Sequence, residues 1–292
     1  MGKFVEAIAS VPVLRRGGSV ITRQLKRMSV DVGVAGFPKC GNTWTSALLR
    51  QLILEHYGVD ANNFSRLFVS DLGALPMTFL QLPAGIPRIY QTHFMPLPVR
   101  PDLSGIGEGL APFRGKRMMI LVRDWKDALV SYFLWNVRRF GVEDAPTTIG
   151  EFVHSPKYGI EKYVGYYNLI AESRSGSCAR TRIVSYEQRW DDPVGTLEED
   201  AKFLNIDVAR DVLARIVEQY DFDHMRQIEM ATTKETAILT PLYRVANEHQ
   251  DARFVRKGGS GNWREHMSPS LAAELDAYVA AHLDPTIRAS LP

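Results

Sequence analysis

Between Val34 and Trp44 the chain reads Ala-Gly-Phe-Pro-Lys-Cys-Gly-Asn-Thr, a glycine-containing turn set between a strand pattern and a helix pattern. Upstream, Val30, Val32 and Val34 alternate with Asp31, Gly33 and Ala35, the period of a strand. Downstream, over Thr43 to Tyr57, Trp44, Leu48 and Leu52 recur at i, i+4 and i+8 with Leu49 and Ile53 on an adjoining line, the period of a helix. A turn joining the two aims its backbone N–H groups and the helix N-terminus at one point, which is where an anion binds. Strand, turn and helix in that order open an α/β domain. The pattern continues with strands expected at Arg88 to Thr92, Arg117 to Val122 and Thr181 to Tyr186. Helices are expected at Trp125 to Phe140, Pro193 to Phe203 and Val208 to Glu218. The fold class expected is therefore α/β: a single domain over residues 29–292 with a central parallel sheet flanked by helices, preceded by an N-terminal extension over residues 1–28. Residues 141–160 and 229–262, polar or glycine-containing, are expected to be lids rather than linkers.

Composition narrows the class of partner. With 292 residues and 45% hydrophobic content, the chain has ample apolar surface for a packed core. A net charge of +2 is too small to announce a nucleic-acid or membrane surface, so any anion site must be local. Cys40 and Cys178 form no zinc-type spacing and a poor disulfide framework, which points to a reducing, cytoplasmic compartment. No run approaches the length of a spanning helix, and Glu6 with the Arg15–Arg16 pair breaks the apolar start, so neither a spanning segment nor a secretion signal is expected.

The turn spacing imitates a nucleotide triphosphatase loop, G-x-x-x-x-G ending in Thr43. However, Asn42 stands where that motif has its lysine, and the lysine is Lys39, inside the loop. A P-loop kinase or NTPase, the alternative enzyme class, would also want an acidic strand end for magnesium, which the sequence does not offer convincingly.

Phe37-Pro38-Lys39-Cys40-Gly41-Asn42-Thr43-Trp44 instead resembles the phosphosulfate loop of the cytosolic-type sulfotransferases, P-K-S/A-G-T-T-W. Two further segments follow in the family's order. Val122-Arg123 through Asp127 to Ser131 is similar to the 3′-phosphate segment V-R-x-x-x-D-x-x-x-S, and its forked guanidinium and hydroxyl suit a dianionic phosphate. An ordinary pairing of Arg123 with Asp124 or Asp127 is the competing interpretation. Arg256-Lys257-Gly258-Gly259-Ser260-Gly261-Asn262-Trp263 resembles the third segment R-K-G-x-x-G-D-W, with Asn262 where aspartate is usual. The resemblance implies a P-loop-like sulfotransferase fold and a donor, 3′-phosphoadenosine 5′-phosphosulfate (PAPS), converted to adenosine 3′,5′-bisphosphate (PAP). It implies that Lys39, Cys40, Gly41, Asn42 and Thr43 hold the 5′ end and that Trp44, Tyr186 and Phe222 contact the adenine. Arg123, Ser131, Arg256, Lys257 and Gly258 would hold the 3′-phosphate. Tyr186 and Phe222 serve equally well as core aromatics on the sequence alone.

Sulfuryl transfer needs an acceptor deprotonated as it attacks and positive charge at the leaving oxygen. His93, in Gln91-Thr92-His93-Phe94-Met95-Pro96, resembles the family's K-T-H-x-P general base, and an imidazole accepts a proton near neutrality. Gln91 replaces the usual lysine. The resemblance assigns Lys39 to the leaving oxygen and Ser131 to restraining that lysine, and the scheme calls for no metal. The acceptor is expected to be a small-molecule hydroxyl compound: a phenol, alcohol, lipid or glycan. Phe64, Leu67, Phe68, Leu75, Met77, Phe79, Leu80 and Phe140 supply an apolar lining, and Trp135, Arg138 and Arg139 a more polar one. The vertebrate-type dimer motif is absent from Arg264 to Ala273, so that dimer is not expected. A nucleotide-binding scaffold without catalysis is the non-enzymatic alternative, which Gln91 keeps open.

Overall fold

The computed structural model describes residues 30–59, 68–70, 85–92, 115–139, 145–174, 180–231, 253 and 255–292. The N-terminal extension, His93, Cys178, Phe140 and most of the expected apolar lining lie outside these residues, as do the side chains of Phe68, Arg138 and Arg139.

Five parallel strands form the sheet: β1 (Val32–Gly36), β2 (Phe68–Ser70), β3 (Ile89–Thr92), β4 (Arg117–Val122) and β5 (Arg180–Ser185). Their order is β2-β3-β1-β4-β5. In β1 every residue is buried, because a strand central to a parallel sheet has no solvated face. The valine alternation therefore marks the strand without marking an exposed side. In register, Gly36 lies opposite Leu121 on β4 and Ala35 opposite Thr92 on β3. From β1 the chain crosses toward β2, and from β4 toward β5, so the connections diverge between β1 and β4. Ligands of open α/β sheets bind in the crevice at such a divergence, beyond the carboxyl ends of the strands.

The helices are α1 (Asn42–Tyr57), α2 (Trp125–Leu134), α3 (Ile149–His154), α4 (Ile160–Arg174), α5 (Tyr186–Asp191), α6 (Pro193–Leu204), α7 (Arg210–Gln219), α8 (Phe222–Ala231), α9 (Pro269–His282) and α10 (Pro285–Arg288). α1 packs with α6 and α7, while α4 packs with α2, α9 and α10. Several boundaries differ from the sequence expectation. The helix expected to run to Phe140 is α-helical only to Leu134 and continues as a π-helical turn over Trp135–Arg139. There Asn136 Nδ2 donates to the Tyr132 carbonyl at 2.8 Å, taking the acceptor that its own backbone N–H would use. Part of the expected 141–160 lid is the helix α3, whose start is capped by the Thr148 hydroxyl accepting from Glu151 N. Ser268 and Pro269, where the dimer motif would have its centre, form the start of α9: Ser268 caps it and Pro269 is its first residue.

Two devices fix the elements around the crevice. Tyr167 of α4, fully buried, donates from its hydroxyl to the Leu121 carbonyl at 2.6 Å and accepts from Phe37 N at 3.3 Å. One side chain thus holds the ends of β1 and β4 together. On the other side, Asp200 of α6, 0% exposed, accepts from Arg182 Nε at 2.8 Å and from Arg189 Nη2 at 2.7 Å. Arg189 is itself 2% exposed, so this buried triad sets α5 against α6 and β5.

Removing the acid from a buried triad leaves uncompensated guanidinium charge. Asp200→Ala is therefore expected to lower stability by roughly 3–5 kcal/mol in urea unfolding. A loss below about 1 kcal/mol, the range of an exposed pair, would show that the triad does not anchor α5.

Candidate active site

The first loop leaves β1 at Gly36 and enters α1 at Asn42. Gly36 must be small: a Cβ there would come 2.9 Å from Asn42 Oδ1 and 3.0 Å from Leu121 Cβ. Phe37 plugs the loop into the core, edge-on to Tyr132, Tyr163 and Tyr166 at centroid distances of 5.5, 5.2 and 5.7 Å. Lys39 has a left-handed backbone, φ 71°, uncommon for a residue with a side chain, and Gly41 has φ 85°. Together these turn the loop so that α1 begins without a side-chain cap, its first N–H groups facing the crevice.

Each first-loop residue has a distinct place. Asn42 is 5% exposed and donates from Nδ2 to the Phe37 carbonyl at 3.1 Å, so its amide braces the loop. Cys40 is buried 3.4 Å from the Tyr167 hydroxyl, and burial pushes its thiol up to about 12. Its side chain is thereby neutral packing. The Lys39 ammonium lies over the Trp135 ring, 4.3 Å from its centroid. Thr43 follows in the first turn of α1, and Trp44 donates from Nε1 to the Tyr220 carbonyl at 2.7 Å. Gln91 of β3 reaches the same helix, where its Oε1 accepts from Ser46 Oγ at 2.5 Å.

The second segment begins where β4 ends. Arg123 pairs with neither neighbouring aspartate: Nη1 donates to the Lys39 carbonyl and Nη2 to the Gly259 carbonyl, both at 3.1 Å. Its guanidinium carbon lies 4.1 Å from the centroid of Tyr186, and its Nε is buried with no hydrogen-bond partner among the described residues. Asp124 caps α2 by accepting from Lys126 N at 2.8 Å, and burial raises its pKa. Asp127, 2% exposed, accepts from Gly261 N at 2.5 Å and Trp263 N at 2.9 Å. Ser131 lies one helical turn before Trp135.

The third segment is thus held from two sides. Val255 N donates to Glu229 of α8 at 2.7 Å, before Arg256, and Asp127 holds the loop beyond it. Asn262, in the position where the motif has aspartate, donates from Nδ2 to the Gly258 carbonyl at 2.7 Å and closes the loop on itself. Lys257 forms a short ion pair with Glu265 on the exposed side.

The aromatic residues close the remaining wall. Tyr186, at the start of α5, lies over Gly41, where a Cβ would come 2.9 Å from its Cδ2. Trp44 meets it edge-on at 6.0 Å, and Trp190 stacks on it at 6.2 Å with planes 26° apart. Phe222 touches Trp190 at 6.1 Å and would meet a Cβ on Gly258 at 2.7 Å. Lys39, Arg123, Tyr186, Trp44, Phe222 and Gly258 are therefore brought into one cluster, whereas Lys257 points to its outer rim. One aromatic of this wall, Trp190, is not among the residues expected from the sequence. Trp190 follows Tyr186 by one helical turn, an i, i+4 aromatic pair that was available as a signal. Trp135, expected from the sequence as part of a polar acceptor lining, lies instead against the Lys39 ammonium.

The model of the family described as "Sulfotransferase domain" matches residues 29–286. Sulfotransferase 1B1 of the dog, Canis lupus familiaris, is 23% identical over 259 residues, covering 84% of this chain and 81% of that protein. Flavonol 4′-sulfotransferase of the plant Flaveria chlorifolia is 19% identical over 284 residues, covering 92% and 84%. Among solved structures, retinol dehydratase in complex with androsterone and the inactive cofactor PAP superposes with a TM-score of 0.60 at 17% identity, covering 88% of this chain and 81% of that one. That likeness speaks for the fold, and the family match takes in all three loop segments and the sheet that carries them. This chain belongs to the sulfotransferase family.

Proposed function

We propose that this enzyme transfers the sulfuryl group of PAPS to the hydroxyl of a small organic acceptor by in-line displacement, releasing PAP. The observation that carries the assignment is the meeting of Lys39, Arg123 and Gly259 at the divergence of β1 and β4, where one guanidinium touches all three segments. The residues fit the donor. Arg123 retains a buried Nε without a hydrogen-bond partner among the described residues, and the Lys39 ammonium lies over the face of Trp135.

In this scheme the loop amides and Lys39 take the 5′-phosphosulfate. Arg123, Ser131, Arg256 and the backbone at Gly258 take the 3′-phosphate, with Lys257 adding charge at the rim. The aromatic wall takes the adenine. As the acceptor oxygen bonds to sulfur, the bond from sulfur to the phosphate oxygen breaks. Negative charge then grows on that oxygen, where Lys39 donates, and the acceptor proton passes to His93. His93 itself lies outside the described residues, and its assignment rests on the motif that it shares with Thr92. Fixed donors in a water-poor crevice stabilise such charge more than water does. Cationic side chains and amides supply the neutralisation, so the proposal needs no metal. Trp135 beside Lys39 favours a ring-bearing acceptor, a phenol or steroid-like alcohol, in keeping with the flavonol and androsterone in the names of the relatives. No helix among the described residues is long and apolar enough to cross a membrane, and a cytoplasmic setting remains the one that the cysteine usage favours.

The direct test is transfer of radiolabelled sulfate from PAPS to a panel of phenols, steroid alcohols and flavonols. Transfer to at least one of them is expected; PAP binding with no transfer to any would favour the scaffold alternative. His93→Ala is expected to reduce kcat by about 100-fold or more with PAP affinity nearly unchanged, the usual magnitude for a lost general base. Retention of most turnover would remove the base assignment. Arg123→Ala is expected to weaken PAP by about 100-fold, since truncating a charge-assisted contact costs a few kcal/mol, with the order of preference among acceptors unaltered. Wild-type PAP affinity in that variant, measured by calorimetry, would overturn the 3′-phosphate assignment.

A further inference from the structure

We propose that Trp190 is a base-contacting wall of the donor site, an aromatic surface that the three motif segments do not mark. The inference rests on the donor assignment above and deepens it. Trp190 is 37% exposed, and it and Met230 are the large hydrophobic side chains left exposed among the described residues. Tryptophans used for packing in this protein look different: Trp125 is 3% exposed and Trp263 is 9% exposed.

The indole is nevertheless held firmly. It stacks on Tyr186, one turn earlier on α5, and meets Trp44 of α1 at 6.1 Å and Phe222 of α8 at 6.1 Å, both edge-on. Arg189, the residue before it, is locked into the buried triad with Asp200. Beneath the ring runs the third loop. A Cβ on Gly258 would come 2.5 Å from the indole Cη2, whereas one on Gly259 would sit in ordinary contact with the same ring at 3.8 Å, so the ring itself demands glycine at Gly258. Both glycines also have positive φ, 70° and 66°, so the loop shape favours glycine at each.

Gly259 links this ring to the charge. Its carbonyl accepts from Arg123 Nη2, the guanidinium assigned to the 3′-phosphate. A partly exposed indole and the Arg123 guanidinium thus meet on adjacent glycines of one loop, Gly258 and Gly259. Flat aromatic rings bind bases by stacking through their π faces, without reading hydrogen-bond patterns, and Trp190 enlarges the wall made by Trp44, Tyr186 and Phe222.

The test compares two ligands by calorimetry: PAP, and a base-free ribose 3,5-bisphosphate that carries the same two phosphates. Against wild type, Trp190→Ala is expected to weaken PAP by about tenfold, the scale of one lost stacking contact, while changing the base-free ligand less than about twofold. Trp190→Phe, which keeps a ring and guards against a misfolded alanine variant, is expected to stay within about threefold of wild type for PAP. Equal weakening of both ligands would overturn the proposal by showing that the indole only shapes the glycine loop. Unchanged PAP affinity in Trp190→Ala would overturn it as well. A wild-type protein that fails to bind PAP would instead remove the donor assignment, and the Trp190 proposal with it.

Discussion

The site depends on the first turn after β4. Arg123 and Asp127 lie four residues apart at the head of α2, and between them they fasten three loops that are far apart in the chain. Arg123 holds the first loop through the Lys39 carbonyl and the third through the Gly259 carbonyl. Asp127 holds the third loop again, two and four residues further on, through the amides of Gly261 and Trp263. This is possible only because the parallel register brings Leu121 opposite Gly36, so that β1 and β4 end side by side. Tyr167 then seals those two ends from below.

Two cations of the crevice, Lys39 and Arg123, both lie against aromatic faces. Arg123 rests on backbone carbonyls and the face of Tyr186, and Lys39 on the face of Trp135. For Arg123, no ion pair among the described residues has to be broken before the proposed phosphate binds, a step that costs several kcal/mol when one partner is removed. The acids close by are occupied elsewhere. Asp127 accepts from loop amides, and Glu187 accepts from Asp124 N at 3.1 Å while burial raises its pKa. Lys257, by contrast, is exposed and paired with Glu265, consistent with a peripheral part.

The sheet was legible because parallel strands buried on both faces read as short β-branched and aliphatic runs. Arg117 to Val122 matches β4 end for end, and the other three expected strands shift by a residue or two. β2 went unnoticed since three residues, Phe68–Ser70, carry no period. α4 is also absent from the sequence expectation: its core side mixes Tyr163, Tyr166 and Tyr167 with Ile160, Val164 and Ile170, which blurs a simple aliphatic stripe. The three loop segments stood out because glycines beside lysine or arginine form compact motifs, each of which could be matched to one family segment. The couplings among them were not legible. Nothing in the spacing of Asp127 announces that its carboxylate serves a loop more than 130 residues away, or that Trp135 would lie over Lys39.

The central claim is that three loops form one site for a 3′-phosphorylated nucleotide without the help of a divalent cation. Its most direct test is calorimetric titration of the purified protein with PAP and with ATP, each in the presence and absence of magnesium. The account predicts that PAP binds more tightly than ATP and that magnesium does not alter that order. Preference for ATP that appears only with magnesium would contradict it and would return the first loop to the phosphoryl-transfer enzymes whose spacing it imitates.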